Sequence, residues 1–385
     1  MVSKKVILGL LSFISLIQFT HSSGSYIPSC TSLASAIQTY PKTSIALSSL
    51  VLAAGGLYLW NNPMKVSPKL EDFHLLTYMP TDAVDNADNK LSIDDIDQAI
   101  KTGNRTNLNG RYTAMADKSV KLVSDIPSGV TGTLYIYVSG LAGRSSSAPY
   151  QHPSNGAATV YKLFERGIIK NAPCVSFAGP TQYRRTVNFG QELDQECLNM
   201  VYEEVVKRNP QAKIVFLGVC IGATTILNYL AGPLGGIEKF SHLHAVVLES
   251  PYISFNEVVR HMGNSYLPFG LKWLLPAVFK QWFINAKTDI SSTQILKSYK
   301  NIPTNVKMFI SCLKNDAVCS RQNIEKIKKS LDGNLQEPVQ VFDCPAVYQY
   351  EGTTKTAKHG RLFGISENQT AITDFLKNHE LDHVT

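Results

Sequence analysis

An apolar run of strand-forming residues, Lys213 to Leu217, leads without a break into Gly218-Val219-Cys220-Ile221-Gly222 and then into a helix-forming stretch, Ala223 to Leu230. A strand that turns so abruptly into a helix holds its apex residue in a strained backbone conformation, tolerated only when small residues sit two before and two after it. Such a turn needs a sheet with helices packed against it. The surrounding sequence supplies both. Short β-branched or apolar runs at Thr133–Val138, Cys174–Phe177, Ala245–Leu248, Val306–Ser311 and Val339–Phe342 alternate with helical stretches near 157–166, 189–207 and 367–378. Strands that are uninterrupted apolar runs are buried on both faces, which predicts an α/β fold: a mostly parallel sheet with helices on both faces. Residues 252–300 break the alternation with an aromatic-rich stretch and predict a helical cap insertion. Strands within 71–130 cannot be placed from pattern alone.

The net charge of +7 raises the question of a nucleic-acid partner. Its distribution excludes one. Lys4, Lys5, Lys42, Lys65 and Lys69 lie in the first 70 residues, which hold no carboxylate, so only +2 remains for the other 315 residues and no basic stripe is left to neutralise phosphates. The early lysines flank apolar segments instead. Lys4 and Lys5 precede Val6–Phe19 and the small residues of 20–24, the pattern of a signal peptide (residues 1–24) cleaved near Ser22–Ser25, with a retained short anchor as the alternative. The uncharged stretch 43–64 is long enough to cross a bilayer, but Ser44, Ser48, Ser49, Gly55 and Gly56 dilute it. The expectation is an exported or membrane-associated protein, with residues 25–70 an apolar membrane-associated or linker segment and 71–385 the globular domain. Seven scattered cysteines include no CxxC pair, which disfavours a zinc ribbon or a thioredoxin-type site and calls for no metal. An exported chain could pair six of them; the spacing fixes no connectivity.

Cys220 is the residue on which the chemistry turns. A thiol suits a strand-to-helix apex, because the helix's positive end and a neighbouring imidazole both favour the nucleophilic thiolate. The plainer alternative is a buried structural cysteine between two packing glycines.

From about residue 133 to the end the chain resembles the α/β-hydrolase superfamily. Gly218–Gly222 matches its nucleophile elbow, in a cysteine form similar to that of dienelactone hydrolases, and Ser139-Gly140-Leu141-Ala142-Gly143 resembles its oxyanion loop with Ser in place of His. Gly218–Leu227 also resembles the corresponding box of polyhydroxyalkanoate synthases, except that Ala223 stands where those enzymes usually have Gly. The resemblance implies the chain order nucleophile, acid, base. Asp316, in the segment after the strand Val306–Ser311, is then the acid, with Asp343 and Glu351 as substitutes. Of His359, His379 and His383, the only histidines after Asp316, His359 lies between the last strand and the last helix, where the family places its base. Backbone N–H groups of Ile221 and Leu141 would bind the oxyanion.

Together these readings describe an enzyme, a hydrolase or acyltransferase acting on carboxylic esters, lactones or thioesters through a Cys-His-Asp triad and a thioester acyl-enzyme. Its partner is a small-molecule acyl substrate, with membrane association through the N-terminal segment left open and no cofactor required. The competing class is a non-catalytic protein that keeps the fold to bind a ligand or partner.

Overall fold

The computed structural model describes residues 69–70, 73–80, 120–123, 125–140, 163, 168–169, 172–178, 189–235, 239–266, 291–350, 353–360, 362–379 and 381. All of them lie in one compact unit, Pro63–Thr385. The proposed signal peptide, the apolar stretch 43–64, the helix near 157–166 apart from Leu163, and the middle of the aromatic-rich insertion lie outside the described residues.

Eight strands form the main sheet. They are β1 (His74–Pro80), β2 (Val120–Val123), β3 (Thr133–Val138), β4 (Cys174–Ala178), β5 (Lys213–Val219), β6 (Leu243–Glu249), β7 (Lys307–Leu313) and β8 (Gln340–Cys344), in the spatial order β2-β1-β4-β3-β5-β6-β7-β8. From β4 through β8 every neighbouring pair is parallel, whereas β1 runs antiparallel to both β2 and β4. The mostly parallel sheet expected from the apolar runs is therefore present, with an antiparallel strand near one edge that pattern alone did not place.

Period-two burial gives the sheet two cores. Leu134, Ile136 and Val138 of β3, Ile214 and Phe216 of β5, and Ile310 of β7 pack with α1 (Glu192–Arg208), α2 (Ile221–Ala231) and the later helix at Arg321–Asp332. The alternate residues, Tyr135, Tyr137, Val215, Leu217 and Phe309, pack on the opposite face against α3 (Phe255–Tyr266) and the last helix. Each side chain withdrawn from water on either face contributes about 1.5–3 kcal/mol, so burial on both faces explains why these strands read as unbroken apolar runs. Phe73 belongs to the first core and Leu70, just before the expected start at 71, packs against it.

Two strand assignments differ from the sequence reading. β7 extends two residues further, to Leu313, so Cys312 is a strand residue and not part of the following loop. β8 is not the last strand: β9 (Val347–Tyr350) and β10 (Thr353–Thr356) form a separate antiparallel hairpin after it. Within 252–300, the described parts are α3 and the short α4 (Ser292–Ser298), capped by the Ser291 hydroxyl accepting the Gln294 N–H. α5 (Arg321–Asp332) and α6 (Ser366–Asn378) complete the described helices.

The sheet order also locates the site. β4 was added on one side of β3 and β5 on the other, so the chain reverses its direction of sheet growth between β3 and β5. In open parallel sheets the carboxyl ends at such a reversal leave a crevice for a ligand. Here those ends carry Ser139-Gly140 and Cys220.

Candidate active site

Cys220 sits between β5 and α2 at φ 54°, ψ −113°, one of three non-glycine residues with positive φ among the described residues. Its neighbours explain how so strained a turn persists. A Cβ on Gly218 would lie 2.6 Å from Ile226 Cδ1 and 2.8 Å from Ala223 Cα, and one on Gly222 would lie 2.0 Å from the Val138 carbonyl oxygen. Small residues at both positions let α2 close against β5 and β3. The turn is pinned further by the Cys220 N–H donating to the Glu249 carbonyl at 2.8 Å. Thr224 of α2 reinforces it, its hydroxyl donating to the Tyr252 carbonyl and accepting the Tyr252 N–H, both at 3.0 Å.

Ile221 is the first residue of α2, so its N–H has no carbonyl to bond within the helix. The end of β3 approaches the same apex: a Cβ on Gly140 would lie 3.2 Å from Cys220 Cβ. Leu141, the other expected oxyanion donor, lies outside the described residues.

Asp316 follows β7 and is almost fully buried. Its Oδ1 accepts the N–H groups of Val318 at 2.7 Å and Cys319 at 3.0 Å, and its Oδ2 accepts the Ser250 hydroxyl at 3.1 Å. The same Oδ2 lies 2.8 Å from His359 Nδ1. Burial works against the charged carboxylate, but the hydrogen bond and charge of His359 and the two backbone donors outweigh it and hold the acid below its usual range.

His359 lies between β10 and the 3-10 turn Leu362–Gly364, followed by Gly360 at φ 74°. Gly360 approaches the end of β5, since a Cβ on it would meet Val219 Cγ1 at 4.0 Å. The imidazole Nε2 is buried without a formed hydrogen bond. Burial disfavours its charged form, yet the electrostatic interaction with Cys220, foremost among the opposing causes, and the bond to Asp316 push it up to about 11. Cys220, Asp316 and His359, taken from three separate segments of the sequence, therefore meet at one place.

Asp343 does not join them. Asp343 pairs with Arg321 Nη2 at 3.1 Å and accepts from the Cys312 thiol, and Glu351 lies outside the described residues. His379 packs edge-on against Phe375 beside Glu337, and His383 is outside the described residues. Cys174, Cys220, Cys312, Cys319 and Cys344 are thiols outside any disulfide. Among the described residues no group of three His, Cys, Asp or Glu side chains could hold a metal, and no helix is long and apolar enough to cross a membrane.

Sequence reasoning missed three contributors. Ser250, at φ 48° just beyond β6, supplies the hydroxyl to Asp316. His261 on α3 places Nε2 2.7 Å from the Asp316 backbone carbonyl. Glu249 ends β6 fully buried. Of these only Glu249 left a trace in the sequence, as a charge directly after an apolar strand.

A mostly parallel sheet with helices on both faces, whose fifth strand ends in a GxCxG turn with an acid after the seventh strand and a histidine before the last helix, is an α/β-hydrolase fold. No protein-family model and no curated protein matches the chain. Among solved structures, it is similar to the esterase Pf2001 of Pyrococcus furiosus at 16% identity, over 65% of this chain and 82% of that one, with a TM-score of 0.44. A Pyrococcus horikoshii acylaminoacyl peptidase is 15% identical over 66% of this chain and 38% of its own, with a TM-score of 0.40. An α/β serine hydrolase without lid from Xanthomonas campestris is 11% identical over 66% and 85%, with a TM-score of 0.37.

Proposed function

We propose that this chain is a hydrolase or acyltransferase that acts on carboxylic esters, lactones or thioesters with Cys220 as nucleophile, His359 as proton shuttle and Asp316 as its orienting acid. The observation that carries the reading is the His359–Asp316 contact of 2.8 Å, with the opposite ring nitrogen buried. A carboxylate can only accept, so Nδ1 bears the proton and Nε2 is the nitrogen available to the thiol.

In the first step the Cys220 thiol proton passes to His359 Nε2, the sulfur bonds to the substrate carbonyl carbon and the carbonyl π electrons move onto oxygen. The resulting oxyanion is met by the Ile221 N–H and a donor from the loop after β3, at the positive end of α2. The oxyanion then collapses, the bond to the leaving oxygen or sulfur breaks, and His359 Nε2 delivers the proton that group needs. A thioester to Cys220 remains. Water or an acceptor alcohol, losing its proton to Nε2, attacks that thioester, and the second collapse expels the Cys220 thiolate with the acid or the new ester.

The test is intact-protein mass spectrometry after brief exposure to a p-nitrophenyl ester or a fluorophosphonate. One acyl or phosphonyl adduct, mapped to Cys220 and absent from Cys220→Ala, is the expected result. No adduct across esters, lactones and thioesters sinks the enzyme reading and leaves a binding protein of this fold.

A further inference from the structure

The scheme above gives no task to Glu249, although this carboxylate is 1% exposed, at the end of β6. Its Oε1 accepts the Leu362 N–H at 2.8 Å and its Oε2 the Phe363 N–H at 3.0 Å. Its own backbone carbonyl accepts the Cys220 N–H at 2.8 Å. A single residue thus grips the nucleophile turn with its main chain and the segment after His359 with its side chain.

The carbonyls of the same two residues are held from the other side. Leu362 O accepts Asn368 Nδ2 at 3.0 Å, and Phe363 O accepts Gln369 Nε2 at 2.7 Å. Asn368 Oδ1 in turn accepts the Ser311 hydroxyl of β7 at 2.7 Å. Holding a carboxyl here is costly: burial pushes it up to about 7, against the pull of the two backbone donors and of His359. A glutamine would occupy the same volume without that cost. It has only one acceptor atom, however, and its amide nitrogen would be turned towards an N–H group. Only a carboxylate satisfies both amides.

We infer that Glu249 is a positioning residue: its two-oxygen clamp on Leu362 and Phe363 holds the His359 turn at a fixed distance from Cys220, so that proton transfer occurs without a search. The inference rests on the acyl-transfer reading above. Releasing the clamp lets the segment after Gly360 move while the nucleophile and the substrate's other contacts stay in place. A misplacement of about 1 Å costs on the order of 100-fold in rate.

The experiment uses the full chain and Glu249→Gln. Burst titration with a p-nitrophenyl ester counts competent Cys220 sites, steady-state kinetics gives kcat per titrated site and KM, and hydrogen exchange reads the peptide spanning 358–365. The expected result is a full count of sites, kcat per site lowered about 10- to 100-fold, KM within about twofold, and faster exchange at Leu362 and Phe363. A purely structural Glu249 would lower the melting temperature or the site count and leave kcat per site unchanged, which overturns the inference. Should Glu249→Gln not fold, Glu249→Asp keeps the charge but is one methylene too short to reach both amides, and the same readings decide. A wild type never acylated at Cys220 sinks the acyl-transfer reading itself. An acylated wild type with unimpaired variants sinks only the role of Glu249.

Discussion

His261 Nε2 lies 2.7 Å from the backbone carbonyl oxygen of Asp316, while the carboxylate of that residue is met by a different imidazole, that of His359. A carbonyl oxygen can only accept, so His261 donates from Nε2 and props the acid loop from α3. The two histidines next to Asp316 therefore have separable tasks. On the proposed mechanism, replacing His359 by Ala removes the proton shuttle and should lower kcat about 100- to 10,000-fold with the fold intact. His261→Ala should cost no more than about tenfold, because Asp316 keeps its four side-chain partners. Steady-state kinetics of the two variants, beside their circular dichroism, makes the comparison; a larger loss from His261→Ala would reverse the assignment.

The shifts at this pair also set a pH dependence. His359 is raised from 6.5 to about 11, so the stability it gains from Asp316 and Cys220 is complete below pH 6.5 and is lost as pH rises towards 11. Asp316 is lowered, so its contribution is present above its ordinary value of 3.8 and disappears as pH falls through the lower folded value. In thermal melts, wild type should exceed His359→Gln by the widest margin near pH 6, and the margin should narrow steadily towards pH 10. A margin that grows with pH would contradict the pairing.

Among the described thiols, Cys220 should react first with iodoacetamide. Burial pushes Cys312 up to about 12 and raises Cys174, Cys319 and Cys344 as well, so these remain neutral and shielded. Cys220 instead faces an imidazole held in its charged form, at the open end of a helix. Peptide mapping after limited alkylation at pH 7 should find Cys220 modified ahead of the others, and His359→Ala should slow that reaction about tenfold or more. Labelling spread evenly over several cysteines would favour a structural role for Cys220.

Exchanging the proposed nucleophile tests the chemistry itself. Cys220→Ser keeps the turn, the Ile221 N–H and His359, but a hydroxyl must lose its proton during attack where a thiolate has already lost it. Weak ester hydrolysis should survive in Cys220→Ser and almost none in Cys220→Ala, a loss comparable to removing the whole triad. Equal activity in wild type and both variants, on a panel of esters, lactones and thioesters, would exclude Cys220 as nucleophile for those substrates.

What could be read from the sequence followed the range of the interactions involved. Cys220 was legible because its strain is met locally, by Gly218 and Gly222 two positions away. β3 to β7 were legible because burial on both faces leaves only apolar residues to see. His359 and Asp316 could be singled out only by chain order, since nothing near either one in sequence records a contact between residues 43 positions apart. Ser250 and His261 left no mark at all: the first depends on a backbone conformation that its neighbours do not announce, and the second on where α3 packs. β1 was hidden for a related reason. Its mixture of apolar and polar residues at His74–Pro80 is ambiguous until its antiparallel partners, β2 and β4, are known.

Gly222, two residues after Cys220, offers the sharpest test of the turn, because it separates steric from chemical requirements. Gly222 lies inside α2, where alanine is normally the better helix former by about 1 kcal/mol. Propensity alone therefore predicts that Gly222→Ala stabilises the protein. The site predicts the reverse: a new Cβ would stand 2.0 Å from the Val138 carbonyl oxygen and 2.6 Å from its carbon, and backbone atoms of a central strand cannot swing aside as a flexible side chain would. Helix and strand must separate, at a cost of about 3 kcal/mol from overpacking, several times what propensity returns. The displacement would move Ile221 and Cys220 together, away from His359. Chemical denaturation should show a clear loss of stability, and Cys220 alkylation should slow in whatever fraction remains folded. Gly333→Ala is the control. A Cβ there meets nothing nearer than 3.8 Å, at the end of α5, so that variant should leave both readings unchanged. If Gly222→Ala were instead as stable and as reactive as wild type, α2 could not be packed against Val138 as closely as described, and the geometry assigned to Cys220 would fall with it.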